Sequence, residues 1–436
     1  MTPSVLLIVV LLAAVPLYAL GGWMPMLPAL GIGVMLGALA LAVIDALGSR
    51  SRDDVEVARE VQEVLSLGVP NRVELTAHNR TGRRLRLLVK DDPPNDFVTP
   101  ERTRAMTLDP WERRTVSYVT TPRRRGDYQF GDLHVRCLSR LRLAWWQKRL
   151  PASEGVRVYP NLQQLREFDA LARRGRLDDL GLRAVRSRGE GTEFESLREY
   201  VPDDDFRSID WKATARRGAP ISRQYQSERN QTLLVLIDAG RMMAAPADHM
   251  TRVDYAVNAG LMLAHVAERM GDTVGLLTFS DRVKSFVAPA RGGMQTERML
   301  EELYALQAEL VEPDYRAAVS FLRTRARKRA MVCVFTDLVD ADVSAAALSY
   351  LSSLRPQHLP MVATIRDAET MELAEDEPSA PEEAYLKAVA GRTLGQRSLA
   401  LARLRSRGVL VVDAPPDDLA AAVVNRYLTV KRRGLL

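Results

Sequence analysis

The sequence predicts an α/β protein with two N-terminal transmembrane helices, a small β-sandwich domain and a doubly wound parallel-sheet domain. Three observations carry this. No side chain from Thr2 to Ile44 is charged. Short runs of alternating polar and apolar residues fill 53–160. Continuous apolar runs, alternating with helical patterns, fill 231–436. The shifts between them divide the chain into a transmembrane hairpin at 1–49, a β-sandwich-like domain at 53–160, a connector at 161–230 and an α/β domain at 231–436.

A bilayer core needs about 20 apolar residues per helix, and the N-terminal stretch supplies two such segments, Val5–Leu20 and Ala29–Leu47. Gly21, Gly22, Pro25 and Pro28 interrupt them, because glycine and proline do not continue a helix without cost. Tyr18 and Trp23 flank the break, where interfacial aromatic residues belong. Arg50 and Arg52 follow the second segment, and basic flanks stay cytoplasmic, so both soluble domains are expected in the cytoplasm. A cleaved signal peptide would need a basic leader, which is missing here. Gly33 and Gly37 have the spacing of close helix packing.

Composition narrows the function. Hydrophobic residues at 47% and charged residues at 27% belong to a chain that builds cores, not to a disordered one. The 61 basic and 55 acidic residues nearly balance, which gives no argument for a nucleic-acid partner. Cys137 and Cys333 stand far apart, against a disulfide scaffold or a CxxC module. The five histidines form no HExxH pair, against a zinc hydrolase.

In the second segment, Arg72–Ala77, Arg84–Val89 and Arg114–Val119 alternate as strands with one buried face do. Asn79-Arg80-Thr81 has the form of a glycosylation sequon, irrelevant in the cytoplasm. Arg125-Gly126-Asp127 reads as a turn. Arg123-Arg124-Arg125 reads as a solvated face, with acidic lipid as the rival.

The connector mixes charge with aromatic residues: Glu199, Tyr200, Pro202, Asp203, Asp204, Asp205, Arg207, Asp210, Trp211 and Lys212. The three adjacent aspartates invite a hard cation but lack EF-hand spacing. Their interleaving with Arg198, Arg207 and Lys212 points instead to internal ion pairs that hold a loop in place. Gly189 and Gly191 lack the Gly-Lys-Ser/Thr of a phosphate loop.

In the last segment, strands are expected at Thr232–Ile237, Thr273–Phe279, Ala330–Thr336, Leu359–Ile365 and Val409–Val412, with helices between them, the pattern of a parallel sheet covered on both faces. Ligand crevices in such sheets lie at the carboxyl ends of strands, where Asp238 and Asp337 stand. Together they are candidates for Mg²⁺; separately, each is a helix cap. The acidic stretch Glu372–Glu383 reads as a flexible loop.

Asp238 after an apolar strand, Thr296 before a middle helix and Asp337 after a later strand resemble the von Willebrand factor A domain. The resemblance implies a metal-ion-dependent adhesion site with Asp238, Thr296 and Asp337 as ligands. The first loop departs from that pattern: Asp238-Ala239-Gly240-Arg241-Met242 has neither of the two expected serines. More of the chain resembles the bacterial family catalogued as domain of unknown function 58. The matching residues are Glu193-Phe194, Leu197-Arg198-Glu199-Tyr200, Pro202, Asp204, Arg207 and Ile209-Asp210-Trp211-Lys212, with Arg125-Gly126-Asp127-Tyr128 upstream. That resemblance implies a protein of the bacterial inner membrane serving a MoxR-type AAA+ ATPase that matures client proteins, and hence a non-enzymatic adaptor. Two other readings stand beside it: a structural or envelope-stress membrane protein acting through its β-sandwich, and a metal-dependent enzyme using Asp238, Asp272 and Asp337.

Overall fold

The computed structural model describes residues 2–19, 26–48, 55–174, 193–201, 206–226, 231–338 and 345–435. The chain divides into two compact units, Met1–Tyr159 and Pro160–Leu436.

In the first unit, among the described residues, one helix, Leu27–Gly48, is long and apolar enough to cross a membrane. The preceding apolar segment forms shorter helices, Val5–Ala13 and Val15–Ala19. The helix breaks at Ala14, just before Pro16, which has no amide hydrogen to continue the ladder. The expected turn with Gly21, Gly22, Trp23 and Pro25, and the flanking Arg50 and Arg52, lie outside the described residues. Both ends of the apolar stretch are fastened to one part of the β domain. Thr2 and Pro3 pair with Trp145 and Ala144, and Ser4 N donates to the Leu143 carbonyl at 3.0 Å. The buried Asp45 carboxylate accepts from Ser139 Oγ at 2.5 Å and from Leu141 N at 2.9 Å.

The β domain consists of antiparallel and mixed sheets of five, four and three strands. The alternating runs become strands as expected: Asn71–Asn79, Leu85–Lys90 and Arg113–Pro122. Val73, Leu75 and Ala77 are wholly buried while Arg72 is exposed, the period of two that a sheet with one buried face requires. One ion pair is sealed inside. Arg59 binds Asp91 at 2.7 Å, and the Tyr118 hydroxyl donates to the same carboxylate at 2.7 Å. Burial and the neighbouring Asp91 charge push the Tyr118 hydroxyl far above its usual range. The sequon's Asn79 is buried, its amide bonding the carbonyls of Arg83 and Asp109. Gly126 and Asp127 begin the strand Gly126–Phe130 and are not a turn. Arg125 is buried, so the Arg123–Arg125 run is not a uniformly solvated face.

In the second unit, six strands form one sheet: β1 (Thr232–Asp238), β2 (Thr273–Phe279), β3 (Val283–Ala290), β4 (Met331–Phe335), β5 (Leu359–Ile365) and β6 (Leu410–Ala414). Their order is β3-β2-β1-β4-β5-β6. All neighbours are parallel except β3, which returns antiparallel beside β2 as an edge strand. The sequence reading did not place β3, whose half-buried residues lack the continuous apolar signal of the central strands.

Helices α1 (Arg252–Arg269), α2 (Gln295–Tyr304), α3 (Tyr315–Arg325), α4 (Ala345–Ser352), α5 (Ala368–Glu375), α6 (Pro381–Ser406) and α7 (Leu419–Arg432) connect the strands. Thr251 and Asp254 form the capping box that starts α1. Gly260 lets α1 lie close on the sheet: a Cβ there would stand 3.1 Å from Val235 Cγ1. The stretch expected as a loop at Glu372–Glu383 is instead the tip of a helix pair. Asp367 caps α5 through Thr370 N, and Pro381 with Glu382 and Glu383 in the first turn starts α6.

Candidate functional site

The strand order reverses between β1 and β4, and sheets of this kind place a ligand crevice at the carboxyl ends of such a pair. Asp238 closes β1, and Thr336 and Asp337 follow β4. The sequence thus located both carboxylates correctly, and the structure shows what holds each of them.

Asp238 is buried among neutral donors. Its Oδ2 accepts from Thr336 Oγ1 at 2.7 Å and from the Tyr315 hydroxyl at 3.0 Å. Its Oδ1 accepts from Gly240 N at 2.7 Å. Burial holds this carboxyl above its usual range, and the three hydrogen bonds only partly offset that effect. The first loop is tight. A Cβ on Gly240 would lie 2.9 Å from Pro313 Cδ and 3.0 Å from the Val311 carbonyl. Arg241, in the same loop, pairs with Glu312 at 2.6 Å.

Asp337 is held by two guanidinium groups. Arg252, the first residue of α1, pairs with its Oδ2. Arg397, from the middle of α6, pairs with its Oδ1 at 2.5 Å. Both arginines bridge onward, Arg252 to Asp367 at 2.9 Å and Arg397 to Asp413 at 3.0 Å. Arg397 also donates to Thr364 Oγ1 and to the Ile365 carbonyl, each at 2.7 Å. Thr364 Oγ1 itself donates to Asp337 Oδ1 at 3.1 Å, so α1, α6 and β5 meet on the carboxylate that follows β4. Burial draws the Arg252 guanidinium below its usual range, with Asp367 opposing and Arg397 adding to that effect.

Thr296 does not join them. It lies on α2, and its hydroxyl donates to the Glu268 carboxylate. Glu268 is near the far end of α1 from Arg252, roughly 24 Å away at 1.5 Å per helical residue. With Thr296 elsewhere, no serines in the first loop and Asp337 flanked by two arginines, these residues do not fit Mg²⁺. Arg252 and Arg397 stand beside the carboxylate that the resemblance would give to a cation.

Asp272, the third carboxylate of the enzyme reading, stands at the opposite end of the sheet, before β2. It accepts from Lys431 Nζ and from the Tyr427 hydroxyl, each at 2.5 Å, and so ties α7 to the sheet. No histidine figures among the partners of Asp238 or Asp337 described above. His265 instead binds Asp169 at 2.9 Å and stacks edge-on against Phe168, docking the helix Leu162–Arg174 on α1. One convergence escaped the sequence reading: ligand atoms of Asp248, His249 and Asp417 lie within 4.8 Å of one another on the exposed surface. Their separation along the chain hid it.

The connector motif forms a separate excursion. Strands Glu193–Glu199 and Ile221–Gln226 pair antiparallel, and the helix Trp211–Arg217 lies between them in sequence. Asp210 caps that helix through Ala213 N at 3.0 Å and pairs with Arg223 at 2.9 Å. Tyr200 N donates to the Pro220 carbonyl at 2.9 Å. Glu199 and Lys212 are exposed. Trp211 is 60% exposed and Phe206 65% exposed, their rings edge to face at 5.6 Å. Pro202, Asp203, Asp204 and Asp205 lie outside the described residues, as does the side chain of Arg207.

Residues 196–378 match the family model described as "Protein of unknown function DUF58". The chain carries a DUF58 domain. The matched stretch runs from the paired strands of the connector through the crevice to α5. The uncharacterized protein Rv1480 of Mycobacterium tuberculosis is 27% identical over 154 residues, 35% of this chain and 48% of its own length. The uncharacterized protein YeaD of Bacillus subtilis is 23% identical over 236 residues, 54% of this chain and 56% of its own. The chain therefore spans about half the length of these curated relatives. Among solved structures, a CARDB domain from Pyrococcus furiosus is similar over 24% of this chain, at 15% identity and a TM-score of 0.18. That score carries no argument.

Proposed function

We propose that this chain is a membrane-anchored, non-enzymatic adaptor with a von Willebrand factor A-like domain. It would recruit a MoxR-type AAA+ ATPase to client proteins at the bacterial inner membrane. In this reading both apolar segments span the bilayer, and the soluble units face the cytoplasm.

The observation that carries the reading is the state of Asp337. A carboxylate shared by two buried guanidinium groups is neither a free base nor a metal ligand, so the crevice is better suited to holding shape than to turnover. The exposed Phe206–Trp211 pair supports it further. Large aromatic side chains are enriched at the centres of protein interfaces, and this pair lies inside the DUF58 match.

Affinity capture of the tagged full-length protein from native membranes, with Mg²⁺ and again with a chelator, tests the proposal. A MoxR-type ATPase recovered in both conditions, and lost with Trp211→Ala, is the expected result. Recovery in neither would overturn the adaptor reading and favour the structural one. Recovery only with Mg²⁺ would return the cation to the crevice, once the ATPase's own nucleotide requirement is controlled.

A further inference from the structure

We propose that the end of the β domain to which the apolar helices are fastened lies against the bilayer surface, with Trp111 seated among the lipid headgroups. The proposal rests on the reading of Leu27–Asp45 as a membrane span.

The strand registers bring three turns to that end. Leu85 pairs with Leu108, Leu87 with Cys137, Leu138 with Trp145, and His78 with Arg113. The turns 80–84, 109–112 and 139–143 therefore stand side by side at one end of the sheets. Arg84 pairs with Asp109 at 3.2 Å and ties the first turn to the second. The third turn holds the helices. Ser139 Oγ and Leu141 N donate to Asp45, the last residue of the apolar span, at 2.5 and 2.9 Å. Ser4 N, at the start of the preceding apolar helix, donates to the Leu143 carbonyl. For a spanning helix, this level is the headgroup layer. The strand that leads into turn 109–112, Thr103–Leu108, is separated from Leu133–Leu138 by one strand. With about 4.8 Å between neighbouring strands, Trp111 is roughly 10 Å to the side of the helix anchor.

Trp111 is held there at a cost. Its φ is 60°, in the left-handed region that bulky side chains rarely adopt. The turn is locked in that shape: Trp111 N donates to the Thr81 carbonyl at 3.3 Å, Glu112 N to the Asp109 carbonyl at 3.1 Å, and Asp109 N to the Glu112 carboxylate at 2.7 Å. Yet the indole is 66% exposed, so the domain's own core recovers little of that cost. Leu141, in the turn that grips Asp45, is 52% exposed as well. Two large apolar side chains thus stand in water on the one end of the domain that the span brings to the lipid. An indole suits that layer, because its rings are apolar and its N–H can still donate to a headgroup or to water. The occupant is therefore the bilayer itself, continuous with the helices that already enter it. The contact gives the domain a second hold on the membrane beside the two helix ends.

Fluorescence of the full-length protein in phosphatidylcholine vesicles tests this. The emission lost on Trp111→Phe is the Trp111 component, and the other tryptophans are common to both proteins. In vesicles of phosphatidylcholine brominated at acyl carbons 6 and 7, that component is expected to fall roughly twofold or more, as an interfacial ring should. Acrylamide should quench it at least twofold less than it quenches N-acetyltryptophanamide. Trp111→Gly, which suits a positive φ, should not lower the thermal midpoint in detergent; a lower midpoint would assign the indole to the fold and overturn the proposal. A component quenched freely by acrylamide and untouched by bromine, in protein that still resists alkaline carbonate, would overturn the lipid contact and leave the span. A component shielded from both quenchers would mean that another protein copy covers Trp111, and would also overturn it. Extraction of the protein by carbonate would overturn the span and the proposal with it.

Discussion

Asp238 and Asp337 end neighbouring parallel strands of one sheet, follow equally apolar runs and are equally buried, yet they are held in opposite ways. Asp238 faces a hydroxyl pair and a backbone amide, with no cation, so burial raises its pKa. Asp337 faces Arg252 and Arg397, which supply opposite charge at contact distance. The difference shows that a carboxylate at a strand end is not by itself a metal ligand. Which group completes its environment decides, and here the groups come from α1 and α6, helices that begin 85 residues before and 44 after Asp337.

The comparison breaks most visibly at Arg397. Arg397→Ala leaves Asp337 with one guanidinium and Asp413 without its buried partner. Removing one member of a buried ion cluster typically costs about 3–5 kcal/mol, so the urea midpoint should fall strongly at neutral pH. An unchanged midpoint would mean that Arg252 alone suffices.

A smaller effect is expected on the Asp238 side. Gly240→Ala places a methyl group against Pro313 and the Val311 carbonyl. Overpacking of this kind costs about 1–3 kcal/mol. Thermal unfolding should show the loss, while Gly293→Ala, where a Cβ meets no atom within 4 Å, should leave the melting temperature nearly unchanged.

The finest test uses pH. Asp238 has a raised folded-state pKa, so its neutral form supports the fold. That contribution is present below the usual carboxylate pKa and is lost as pH rises through the folded value. Asp238→Asn does not ionise. The stability of the asparagine variant relative to wild type should therefore improve as pH climbs from about 4 to 7. A flat difference across that window would show that Asp238 ionises in the fold without cost.

Much of the fold was legible because its signals are local. The strand Thr232–Asp238 is a single apolar run, Thr251 and Asp254 spell a capping box three residues apart, and Asn71–Asn79 alternates strictly. Signals that were weak or ambiguous went astray. The edge strand β3 is only half-buried, and the acidic tip between α5 and α6 looked like a solvated loop because its charges mask the end of one helix and the start of the next.

By itself the sequence determined the order of the segments, the apolar stretch at the N-terminus, the DUF58 motif and the placement of Asp238 and Asp337 at the sheet's crevice. Periodicity, capping and composition act over a few residues, and a reader can sum them along the chain. Tertiary structure alone decided that Thr296 belongs with Glu268, that Asp272 anchors α7 at the opposite end of the sheet, and that Arg252 and Arg397 flank Asp337. Arg252 and Arg397 are separated by 145 residues, and nothing in the chain between them announces that they share a carboxylate. Only the sheet, with α1 packed on one face and α6 on the other, gives those two charges a common partner at the end of β4.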